Sequence, residues 1–136
     1  MITRETDYAI RIVLYLAEEG PDSGPVSARH IAEEMDIPYR FLRLISLKLV
    51  QAGILNSRRG KNGGLMLAKP PSELSLLEVM RTVDKKTAVL NRCLIDETTC
   101  NRTGHCSVHH TLLDLQDRVD RALDTVTFEN LAKPHP

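Results

Sequence analysis

The order of apolar periods along this chain predicts a mainly α-helical fold with one small β-hairpin. Three observations carry that expectation. Broad helical stripes flank a short middle helix and close on a glycine. An arginine- and glycine-rich segment lies between two short strand-like runs. A late apolar run alternates steps of four and three.

Residues 3–19 form the first expected helix, because Ala9, Ile12, Val13 and Leu16 recur at helical spacing. Ile10, Leu14 and Ala17 widen that stripe, so the helix is expected to be buried on most sides. Gly20 to Pro25 reads as a loop. Ser27 is an N-cap candidate for a short helix running through Met35. Asp36-Ile37-Pro38 breaks the chain, and Pro38 suits the first position of the next helix, which runs to about Ala52 and stops at Gly53. Ile54–Arg58 and Leu65–Ala68 are strand-like, and Asn62-Gly63 between them reads as a tight hairpin turn at positive φ. Ser75–Val83 reads as a short helix, whereas 84–105 show no period. In the last helix, Ser107–Thr125, the apolar residues Val108, Leu112, Leu115, Val119, Ala122 and Val126 form a heptad seam.

Assembled in order, these elements spell a winged helix-turn-helix with a β-hairpin wing and a long C-terminal dimerisation helix. The expected organisation is a DNA-binding domain over 1–71, a linker helix and cysteine loop over 72–106, and a dimerisation helix with C-terminal tail over 107–136.

Charge supports that reading only once it is located. The chain carries no net charge, which alone argues against a nucleic-acid partner. Yet Pro38 to Lys69 holds seven Lys or Arg and no Asp or Glu, and both flanks are net acidic. Tyr39, Arg40 and Arg43 lie where a recognition helix reaches base edges of a double-stranded operator. Arg58, Arg59, Lys61, Asn62 and Gly63 lie where a wing reaches phosphates or the minor groove. No apolar stretch is long enough for a membrane helix, and the start lacks a signal-peptide layout, so cytoplasmic residence is expected.

Cys93, Cys100 and Cys106 are the three cysteines, separated by six and then five residues. Paired short spacings typical of structural zinc do not occur. Three thiolates on a loop fit an iron–sulfur cluster better, which then needs one further ligand. His105, His109, His110 and Asp7 are candidates, while zinc or a metal-free thiol switch stay open as alternatives. No phosphate loop or nucleophile arrangement points to an enzyme.

Thr6 to Arg11, Ile37 to Leu42, Arg59 to Gly64, the three cysteines, and Thr125-Val126-Thr127 with Leu131 together resemble the Rrf-two family of bacterial regulators. The resemblance implies a homodimeric transcription regulator, commonly a repressor, that binds a [2Fe–2S] or [4Fe–4S] cluster and senses nitric oxide, redox state or cluster supply. In the family's assembly-regulator type a His completes the site, and His109 matches it. In its nitric-oxide-sensor type an Asp of the other subunit's first helix does so, and Asp7 matches that. The first helix and wing are more similar to the sensor type, and the uneven cysteine spacing departs from the assembly type. The balance tilts narrowly to Asp7.

Overall fold

The computed structural model describes residues 1–134. Its elements are α1 (Arg4–Glu19), α2 (Ala28–Glu34), α3 (Tyr39–Gln51), β1 (Leu55–Arg58), β2 (Gly64–Leu67), α4 (Leu76–Val83), α5 (Ser107–Thr125) and α6 (Phe128–Leu131), with single 3-10 turns in the connections. This is the winged helix-turn-helix with a trailing long helix that the sequence predicts.

Local chemistry sets the boundaries. Thr3, Ser27 and Ser75 each cap a helix by accepting a hydrogen bond from the backbone N–H three residues on. Pro38 sits one position earlier than expected, at the N-cap of α3. α3 ends where Gly53 takes φ 77, with Gly53 N–H donating to Val50 and Ile54 N–H to Leu49. That paired closure satisfies carbonyls the helix leaves open.

α1 packs against α3 and α4. Ala9, Ile12 and Val13 of α1 meet Leu42, Ile45 and Leu49 of α3 and Val79 of α4 in one buried cluster. The wing joins this body along Val26, which exchanges two backbone hydrogen bonds with Leu65, at 2.9 and 2.7 Å.

The turn of the hairpin differs from its expected form. Arg58 pairs with Gly64, so Arg59 to Gly63 form the connection, too long for a two-residue Asn-Gly turn. Positive φ falls at Gly60, at 108°, and not at Asn62 or Gly63. Gly63 is required for another reason: a Cβ there would lie 2.1 Å from the Arg58 carbonyl oxygen. At Gly64 a Cβ would lie 2.2 Å from the Val26 carbonyl oxygen. Gly64→Ala is therefore expected to cost at least about 1 kcal/mol by prising the wing from Val26. A denaturation midpoint equal to the parent's would show that the wing shifts freely instead.

α5 meets its own chain through polar residues. His109 and Gln116 are its buried positions, and Asp120 pairs with Arg81 of α4 at 2.8 Å. Val108, Leu113 and Leu115 stay exposed, and Leu112 and Val119 are only half-buried. The heptad seam is therefore split: Val108, Leu115 and Ala122 face outward, whereas Leu112 and Val119 turn partly inward beside His109 and Gln116. α6 then folds back: Thr127 bridges Ser75, Phe128 N–H donates to Leu74, and the Phe128 ring is fully buried beside α1.

Candidate nucleic-acid interface and cysteine recess

α3 buries Leu42, Ile45 and Leu49, so its helical period leaves Arg40 and Arg43 exposed in the first turns. Tyr39, at the start, is half-buried. Arg58, Arg59, Lys61 and Asn62 are exposed on the hairpin, and Gly63 is partly covered. None of these five cations joins an ion pair among the described residues, so their charge is available to phosphates.

Arg11, the last residue of the Thr6–Arg11 motif, links two regions. One guanidinium nitrogen pairs with Asp7 at 2.6 Å, while the other donates to the carbonyls of Met35, at 3.1 Å, and Asp36. Those carbonyls close α2 and begin the turn into α3. Asp7 and Arg11 are four residues apart, the helical pairing distance, so this half of the link was readable in advance. The reach to Met35 was not.

The cysteine loop, without periodicity in sequence, is held by contacts distant in sequence. The buried Gln116 amide donates to the Ala88 carbonyl and to Asp120, and its oxygen accepts from Leu90 N–H at 2.8 Å. Arg81 donates to the Thr87 carbonyl as well as to Asp120. The segment leading into Cys93 is therefore fastened to both α4 and α5. Between Cys93 and Cys100, Asp96 accepts hydrogen bonds from the Thr98 hydroxyl and N–H, which hold its carboxyl below its usual pKa. That carboxylate shapes a turn.

Cys93, Cys100, Cys106 and His109 line one recess of about 160 Å³, with Leu112 and Val108 at its side. All three thiols are free of disulfides. His109 is buried, and its Nδ1 lies 3.3 Å from Cys93 Sγ. Cys106 is the N-cap of α5, whose first turn has no side-chain cap. Among the described residues, no three His, Cys, Asp or Glu side chains converge closely enough for a single metal ion. The donors surround a space. Three soft thiols with one imidazole suit an iron–sulfur cluster, so the residues present fit that group. Asp7, on α1, does not line the recess within one chain, and neither do His105 and His110.

No helix among the described residues is long and apolar enough to cross a membrane. A family model described as an iron-dependent transcriptional regulator, Rrf2, matches residues 2–134. The chain is 29% identical over 130 residues to the HTH-type transcriptional repressor NsrR of Streptomyces coelicolor, covering 96% of this chain and 86% of that protein. Solved structures share the fold, CymR and IscR among them. CymR of B. subtilis, the global cysteine regulator, has a TM-score of 0.76 at 24% identity, covering 97% of this chain and 95% of that one. T. potens IscR has a TM-score of 0.75 at 22% identity, covering 96% and 85%. The chain belongs to the Rrf2 family, and it is a DNA-binding transcriptional regulator, not an enzyme.

Proposed function

We propose that this regulator is a homodimeric repressor, acting in the cytoplasm, whose hold on a double-stranded operator is set by an iron–sulfur cluster. The observation that carries the reading is the single recess lined by three thiols and a buried imidazole. Residues 1–71 read DNA through Arg40, Arg43, Arg58, Arg59, Lys61, Asn62 and Gly63, with Tyr39 at the head of the recognition helix. Residues 72–106 hold the cluster, and 107–136 join two chains along α5, whose Val108, Leu115 and Ala122 are exposed.

Cys93, Cys100 and Cys106 ligate as thiolates. His109 is the fourth ligand favoured by its place in the recess, and Asp7, brought from a second subunit, is its rival. When bound, the cluster supplies sensitivity to nitric oxide, redox state or iron supply. The chain's own part is to convert ligation into geometry. Gln116 and Arg81 fasten the loop to α4 and α5, and Cys106 and His109, which would hold the cluster, stand at the start of α5. α5 in turn sets the spacing of two recognition helices, which must meet half-sites about one helical turn apart. Asp7 and Arg11 offer a second route, because Arg11 steadies the turn before α3.

Anaerobic purification followed by absorption spectroscopy and native mass spectrometry tests this directly. A dimer carrying iron and sulfide is expected. His109→Ala is expected to lose or strongly shift the cluster spectrum, while Asp7→Ala leaves it intact. The reverse pattern assigns Asp7, and a chain with neither iron nor sulfide sinks the proposal.

The contact between Cys93 and His109 favours one second reading, a thiol switch without a cluster. Zinc or no metal in the purified dimer, with DNA binding lost reversibly under peroxide, would select it.

A further inference from the structure

Tyr39 was expected to touch DNA itself. Its surroundings suit it to another task. The Arg29 guanidinium, on α2, lies over the Tyr39 ring at 4.3 Å from the centroid. The Arg43 guanidinium, one turn along α3, approaches the same ring at 5.9 Å. Both distances fall within the range where a cation is drawn to an aromatic face.

Arg29 is exposed and carries no ion pair among the described residues. Glu33 and Asp36 line the recess beside it, yet neither carboxylate engages it. Two like charges are thus gathered on one ring with no anion between them. With neither guanidinium in an ion pair among the described residues, their N–H donors are open to an incoming oxyanion. In a helix-turn-helix the first helix crosses the DNA backbone while the second enters the groove. Arg29 stands on the first, Arg43 on the second.

We infer that Arg29 is a phosphate-binding residue of the DNA interface, and that Tyr39 is the positioning residue which aligns Arg29 with Arg43. The ring restricts two long side chains before DNA arrives, so less freedom is lost when a phosphate docks. Arg29 lies outside the basic window of the sequence, and no local pattern marks it, because its partner is ten residues away across the turn.

Fluorescence anisotropy with a labelled random-sequence duplex, titrated over a range of potassium chloride, tests this without knowledge of the operator. Arg29→Ala is expected to make the slope of log K against log salt shallower by about 0.9 per subunit. Tyr39→Leu is expected to produce the same loss, the double variant no further loss, and Tyr39→Phe none, since the ring and not the hydroxyl is used. Thermal midpoints confirm that each variant is folded. A folded Arg29→Ala protein with the parent's slope overturns the phosphate assignment. Tyr39→Phe matching Tyr39→Leu, or a double variant with additive losses, overturns the positioning role.

Discussion

Protein carrying Cys106→Ser is expected to fold as the parent does and to lose the proposed iron–sulfur cluster. The two effects separate because Cys106 occupies the N-cap of α5, where no side chain bonds the first-turn N–H groups. Serine is among the preferred residues at that position and is expected to add up to about 1 kcal/mol. As a ligand, however, it offers a hard oxygen where the cluster's iron takes soft sulfur. The thermal midpoint should hold or rise while iron and sulfide fall away. DNA affinity should then be the same with and without oxygen or nitric oxide. Retention of iron and sulfide by this variant would remove Cys106 from the ligand set. An affinity that still follows redox state without iron would transfer the switch to the Cys93–His109 contact.

The largest loss of stability is expected from Phe128→Ala, at about 3–5 kcal/mol. Phe128 is fully buried and belongs to the same cluster as Ile12, Leu42 and Leu74. Its backbone is fixed too, since Phe128 N–H donates to Leu74 and Leu76 N–H donates to Val126. A cavity there opens under α1 and cannot close without moving the elements that carry α3. Against a whole-domain stability of about 5–15 kcal/mol, the change is severe. Urea denaturation measures it, and salt-dependent DNA binding should fall in parallel at 37 °C. A cost below about 1 kcal/mol would mean that α6 is not part of the core in solution.

Elements fixed by local chemistry were legible. Ser27 capped the helix it was expected to cap, Gly53 closed α3, and α5 spans the residues its heptad pattern marked. The seam on α5 is only partly outward, because Leu112 and Val119 share the inward side with His109 and Gln116. What failed to show was set by partners far along the chain. Gln116 reads as an ordinary exposed-face residue until Ala88 and Leu90 are seen on its amide. Phe128 is a lone aromatic in a polar stretch, without a period to announce burial. The wing turn was misjudged because Asn62-Gly63 is a strong signal for a short turn, whereas the strand register leaves a longer one. Of the proposed ligands, the recess gathers the three cysteines and His109 in one place, and sequence spacing alone could not rank His109 above His105 or His110.

The return of Phe128 to the core of the DNA reader also sets an order of events during synthesis. Every residue proposed to touch DNA has been made by Gly64, yet the body beneath them lacks its last buried ring for another half of the chain. A nascent or prematurely terminated product therefore carries the basic window without the core that would hold it in shape. Such a product is expected to be open to proteases and to hold DNA poorly. Only a chain that already contains its three cysteines and α5 can complete the reader.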